Sequence, residues 1–379
     1  MTGADVSQGT DDSDLQELRT AVREFLADKA SEEALRKSIA SEPRFDPAVW
    51  ALMAEQLRLP ALAIPEEYGG EGFGPVELGV VLEEMGGALL CAPFFSTVVL
   101  AAQTLLASGD ERACARHLPG IADGTVTATL AVAEQDGAWD AAHVATRAVP
   151  DAVAGGWALH GTKCFVIDGA TSDLVLVLAR THAGTSLFAV DRGAAGLTAE
   201  PMTTLDLTRA MARLSFDAVP ATLIGTDGYG AWLIGRVLDI ATTGLAAEQA
   251  GAARRCLEMS TQYAATRFQF GRAIGSFQAV KHKCADMLVQ VELAQAASRE
   301  AARLAAQGDA GFPAAAAAAH AVCSRAFMFA AAENIQVHGG IGFTWEHPAH
   351  LYFRRAKSAQ LLFGGPGAYY ERLLDRLGI

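Results

Sequence analysis

The middle of the chain restricts the fold most. Residues 125–223 are short β-branched runs separated by turns, whereas the sequence on either side is helical in pattern. The runs TVTATLAVAE, WALHG, KCFVIDGA, DLVLVLAR, SLFAVD and ARLSFDAV predict strands. Gly155-Gly156, Asp168-Gly169 and Asp191-Arg192-Gly193 predict the turns between them. Several short strands at this spacing predict a sandwich or barrel. No run is followed by a long helix, which argues against a doubly wound parallel sheet.

The flanks follow a different period. Leu18, Ala21, Val22 and Phe25 recur at helical spacing, and the pattern stays helical to about residue 122, with a Pro/Gly-rich loop at 64–74. Beyond Gly230, residues 231–266, 278–307, 313–338 and 369–377 predict helices rich in Ala and Leu. Six consecutive alanines at 314–319 predict a face where helices approach closely. The expected organisation is a disordered tail at 1–14, a helical domain at 15–124, a β domain at 125–228 and a helical domain at 229–379, a multidomain α+β chain.

Composition narrows the function classes. Of the 379 residues 51% are hydrophobic and 19% charged, enough apolar material for large cores and against disorder. The formal charge of −13 repels polyphosphate and argues against general nucleic-acid binding. The six cysteines form no CxxC pair, which predicts reduced thiols in a cytoplasmic protein. The acidic, polar N-terminus lacks the features of a signal peptide. Residues 85–109 are uncharged and long enough to span a bilayer, but Gly86, Gly87 and Pro93 interrupt them. They predict two buried core helices meeting at Pro93 and no membrane span.

Isolated motifs are weak. Residues 225–230 are glycine-rich but lack P-loop spacing and read as a turn. In Glu346-His347-Pro348-Ala349-His350, the proline disfavours a helix that could aim both imidazoles at a metal, so no metal site is expected. Three longer segments carry more. RFQFGRAIGSFQ, from Arg267 to Gln278, opens a basic patch in an acidic chain. Its Arg267 can grip a phosphate with two hydrogen bonds, and Phe270 can stack on a purine. QVHGGIGF, from Gln336, holds Gly339 and Gly340, whose amides can approach an anion. IPEEYGG, from Ile64, is a turn between helices.

In this order around a β segment, these motifs resemble the acyl-CoA dehydrogenase family over almost the whole chain. The resemblance implies an N-terminal helical domain, a middle β barrel and a C-terminal four-helix bundle. It implies FAD as cofactor, an acyl-CoA substrate, α,β-desaturation and an electron-transfer acceptor. By position it assigns Arg267 to the FAD pyrophosphate and Phe270 to the adenine. It assigns Gln278, Gln336, Gly339 and Gly340 to the dinucleotide, on the flavin of a neighbouring subunit.

The chain also departs from that family. Phe363 stands where a Tyr-Glu-Gly-Thr-like segment carries the catalytic glutamate, and Ala241 stands at the alternative base position. Ala133, Trp139 and Ile167 replace the hydroxyl residues of the flavin-binding runs. Glu248 is the best substitute base, seven residues past Ala241 and so roughly 10 Å further along the helix. Burial can raise its pKa. The competing reading is a structural carboxylate bonded to a neighbouring helix.

The groups lent to a neighbour are intact and those needed for a flavin of its own are eroded. This pattern resembles a partner subunit of heteromeric, steroid-type dehydrogenases, tetramers with two copies of each chain (α2β2 in subunit notation). Three alternatives stay open. One is a self-sufficient homo-oligomer using Glu248, another a non-catalytic acyl-CoA-binding or assembly subunit. The third is an oxidase or hydroxylase on the same fold. The small residues from Ala241 to Ala253 are compatible with a wide acyl pocket.

Overall fold

The structure, a computed structural model, describes residues 12–151 and 156–379. The proposed tail at 1–11 and the Gly155 part of one predicted turn lie outside the described residues. Residues 12–14, expected in the tail, are the first turn of α1 (Asp12–Lys29), where Asp12 and Asp14 face the positive end of the helix dipole.

The N-terminal helices continue with α2 (Glu32–Ala40), α3 (Pro47–Leu57) and α4 (Pro75–Ala88). A π-helical stretch, Phe95–Ala102, runs into α5 (Gln103–Ser108), and α6 (Glu111–Ala122) follows. Ser31, Asp46 and Asp110 cap α2, α3 and α6 by accepting from backbone amides. The apolar stretch at 85–109 is buried in this core, and α4 stops before Pro93.

The β domain closes on itself. Its strands are β1 (Ala128–Ala131), β2 (Arg147–Pro150), β3 (Trp157–Ile167), β4 (Leu174–Arg180), β5 (Thr185–Asp191), β6 (Leu197–Pro201) and β7 (Met211–Ile224). β2 pairs with β3, β3 with β7, β7 with β5 and β5 with β4, and Arg180 of β4 meets Arg147 of β2 to complete the ring. β1 extends from β4, and β6 lies along the first half of β7. Two predicted runs fuse into β3, which carries register shifts at 159–161 and 163–166. β2 and β6 escape prediction because they are short and mostly exposed.

The C-terminal bundle contains α7 (Gly230–Thr266), α8 (Gln278–Ala306), α9 (Phe312–His338), α10 (Ala349–Leu361) and α11 (Pro366–Leu377). α9 packs against the other four. By length and apolarity Phe312–Phe343 could cross a membrane, but 61% of its apolar window is buried inside the protein. Ala316, Ala317 and Ala319 of the alanine run are buried, and Ala319 packs with Ala246, Ala250 and Ala294.

The crossing of α4 and α7 positions the interior site. A Cβ on Gly86 would stand 2.0 Å from the Glu248 carbonyl oxygen, and one on Gly251 1.7 Å from that of Glu83. The two backbones therefore touch. Arg19 and Arg254 anchor the same crossing on Glu84, from α1 and α7.

Candidate active site and cofactor contacts

Glu248 points from α7 into the junction of the three domains and is 8% exposed. Nη2 of Arg209, from the loop between β6 and β7, lies 2.6 Å from both its carboxylate oxygens. Nη1 of Arg355, on α10, donates to Oε1 at 2.5 Å. Arg355 is held in turn by the Thr208 hydroxyl and carbonyl and by Asp206, 3.0 Å away. Burial pushes the Glu248 carboxyl up, but the two guanidinium charges and their hydrogen bonds outweigh it, so its pKa lies below the ordinary value. The shift is opposite to the one that burial alone would give. Glu248 is a clamped anion bonded to a neighbouring helix.

The space beside it is small. A cavity of about 30 Å3 touches Glu248, Arg209, Arg355, Cys91 and Asp168. That is room for about one water. Asp168 closes its far side and accepts from the Ser96 hydroxyl at 2.6 Å. Burial pushes its carboxyl up to about 6.

Aromatic rings fill the neighbouring volume. Phe363 is 1% exposed and packs on Trp139 and on Phe95, whose centroid is 6.2 Å away. The Tyr369 hydroxyl donates to the Leu362 carbonyl and pins the Phe363 turn, while the Tyr369 ring lies on His320. Ala241, Ala133 and Ile167 are also buried in the same apolar core. Every position that the family resemblance gives to the base or the ring's hydroxyl partners therefore holds a buried apolar side chain. These positions offer a flavin ring no side-chain hydroxyl and no carboxylate.

A second group lies at the far end of the bundle. Arg267 ends α7, and β8 (Phe268–Gln269) and β9 (Arg272–Ala273) form a hairpin beyond it. Phe270 and Gly271 both take positive φ at its turn, and Phe270 is 91% exposed. Gln278 opens α8. Tyr263 of α7 packs on His338 of α9, with ring centroids 4.3 Å apart, and Lys283 of α8 pairs with Glu333. These contacts put Arg267, Phe270, Gln278, Gln336, Gly339 and Gly340 at one end of the bundle. All six are exposed, and Gly339 and Gly340 have open space where a Cβ would be. A guanidinium, a flat ring and bare amides suit a dinucleotide arriving from outside.

His347 and His350 do not converge on a metal. The His347 ring lies on His338, and that of His350 meets Trp345. Residues 225–230 form a turn held by Asp110 and Ser186.

Sequence reasoning missed Arg209, Arg355, Asp206 and Asp168. One signal was available: a carboxylate in an apolar helix needs buried cations, and Arg209 stands in the apolar run TRAMARL.

The family profiles of the acyl-CoA dehydrogenase N-terminal, middle and C-terminal domains match residues 12–125, 129–219 and 228–374. Acyl-CoA dehydrogenase IpdE2 of Mycobacterium tuberculosis is 35% identical over 358 residues, 94% of this chain and 95% of the relative. A solved variant of the Tcur3481-Tcur3483 steroid ACAD superposes with TM-score 0.86 at 33% identity, covering 97% of this chain and 98% of that one. The ChsE4-ChsE5 complex from Mycobacterium tuberculosis gives TM-score 0.87 at 28% identity, covering 98% and 99%.

Proposed function

Given that the chain belongs to the acyl-CoA dehydrogenase family, a family of FAD-dependent oxidoreductases of acyl-CoA thioesters, we propose that it is one half of a heteromeric dehydrogenase. Its partner is a homologous chain that supplies the catalytic carboxylate. Buried Phe363 and Ala241 at the two base positions carry this reading, and one distance fits it. Arg267 stands nineteen positions beyond Glu248 on α7, which is about 28 Å along the helix. The exposed dinucleotide contacts therefore serve a site outside the chain's own interior. That interior holds a clamped glutamate and packed rings.

In this reading Arg267 binds the pyrophosphate with paired hydrogen bonds, and Phe270 covers the adenine. Gln278, Gln336 and the amides at Gly339 and Gly340 orient the dinucleotide. Bound FAD supplies the hydride acceptor, and an electron-transfer acceptor completes turnover. The assembly contains two copies of each chain, in the cytoplasm, in keeping with six unpaired cysteines. The similar structure named as a steroid ACAD supports a bulky acyl group. The small residues of α7 do not open a wide acyl pocket beside Glu248, because they let α4 approach.

The test is bound flavin per chain, alone and co-expressed with a homologous chain, together with acyl-CoA-dependent bleaching. About one flavin per heterodimer, and turnover only in the pair, is the expected outcome. Arg267→Ala should lower flavin retention in the pair. Stoichiometric flavin and turnover in the lone chain would refute the proposal.

A further inference from the structure

The exposed group at the end of the bundle is built from two segments, the last turn of α7 with its hairpin and the end of α9. Side chains tie them together over successive turns. The Ser260 hydroxyl of α7 donates to Oδ1 of Asn334 on α9 at 3.0 Å. One turn further on, the Tyr263 ring packs on His338, with centroids 4.3 Å and planes 32° apart. Tyr263 also carries Arg267, whose amide donates to the Tyr263 carbonyl at 2.8 Å. His338 directly precedes Gly339 and Gly340. The turn after them folds back on it, since a Cβ on Gly342 would stand 3.3 Å from the His338 Cβ.

His338 meets a second ring, that of His347, 4.1 Å away between centroids. Nδ1 of His347 accepts from the Ala349 amide at 3.2 Å, in the first turn of α10. Nδ1 of His338 donates to the Asn334 carbonyl at 2.8 Å, which fixes the rotation of its ring. Tyr263, His338 and His347 form a column that joins α7, α9 and α10. Burial holds both imidazoles below the ordinary histidine value, His347 at about 4, so at neutral pH uncharged rings stack without mutual repulsion.

We propose that His338 is a positioning residue for the dinucleotide. Its ring, between Tyr263 and His347, sets the place of the Gly339 and Gly340 amides relative to the Arg267 guanidinium. What the group binds rests on the heteromeric reading; the positioning is a property of this chain alone. The role needs a flat ring of this size rather than a titrating group, so phenylalanine serves in its place and alanine does not.

The experiment has two arms. One is FAD titration of the pair with a homologous chain, read by flavin fluorescence near neutral pH. The other is amide hydrogen exchange of the lone chain. His338→Ala should weaken FAD about tenfold, the worth of one displaced charged hydrogen bond. It should also speed exchange at 268–273 and 339–343, the hairpin and the turn after α9. His338→Phe should stay within about threefold of the parent. His338→Leu fills the space without a flat face and is the second variant should the alanine not fold; it should weaken FAD more than phenylalanine does. The double variant with Arg267→Ala should lose less than the product of the two single losses, because both act on one contact. Phe327→Leu alters a buried ring about 16 Å back along α9 and should lower stability while sparing FAD binding. Four outcomes would overturn the role. They are FAD binding or exchange unchanged in His338→Ala, phenylalanine as weak as alanine, losses that multiply in the double variant, or equal weakening by Phe327→Leu. A parent pair that takes up no FAD refutes the heteromeric reading instead, and the exchange arm then decides the positioning role by itself.

Discussion

Phe363 meets the indole of Trp139 edge-on, with ring centroids 4.7 Å apart and planes 88° apart. Each stands where the family resemblance places a polar residue, and each covers the other's apolar surface. The two departures are one packing solution. A glutamate at 363 would face the rings of Trp139 and Phe95.

Removing the charge of Glu248 should expose what it holds. In Glu248→Gln, Arg209 loses its carboxylate and Arg355 keeps only Asp206. We expect a stability loss of about 3–5 kcal/mol at neutral pH. The lowered pKa makes this stabilisation present above the ordinary glutamate range and lost as pH falls through the folded value. Denaturant unfolding from about pH 2 to 7 checks both points; a variant as stable as the parent at pH 7 would rule out the clamp.

Asp168 carries the opposite sign. Its folded pKa of about 6 lies above the ordinary aspartate value, so its contribution is full below about pH 4 and fades as pH rises through 6. Asp168→Asn keeps an acceptor for Ser96 and suits the positive φ of 53° at this position. It should stabilise the protein by roughly 1–3 kcal/mol at pH 8, with the gain vanishing near pH 4. Equal stability changes at both pH values would contradict the assignment.

The α4–α7 crossing tolerates no side chain. Gly251→Ala would drive a methyl into the Glu83 carbonyl, backbone that cannot swing aside. The expected loss is about 2 kcal/mol or more. A chemical denaturation midpoint unchanged from the parent would show that the helices can part without cost.

Phe270 is strained, with φ of 54°, and nearly fully exposed apart from an edge contact with the Phe277 ring. Asparagine suits a left-handed turn position better. Phe270→Asn should leave the lone chain's stability equal or higher by up to about 1 kcal/mol, while lowering flavin retention in the assembled pair. Unchanged flavin occupancy would remove Phe270 from the dinucleotide contacts.

Much of this architecture was legible in the sequence because periodicity records burial. The helical flanks and the strands at 174–180 and 185–191 carry their apolar residues at the spacing that packing requires. The exposed group at the end of the bundle was legible too, because one short motif brackets the hairpin and another closes α9. β2 and β6 were not, since their exposed residues carry no apolar signal. Neither was the break at Leu89, where φ is 50° without a glycine.

The sequence by itself determined that Phe363 and Ala241, side chains that cannot accept a proton, stand where the family resemblance places the base. It also determined the run of small residues along α7. Only the tertiary structure decided the state of Glu248. Its two cations come from a β-domain loop and a late helix, 39 and 107 positions away, and no local pattern joins them. Burial alone would have made this carboxyl a stronger base. The fold instead surrounds it with opposite charge, and at 2.5–2.6 Å that attraction outweighs desolvation.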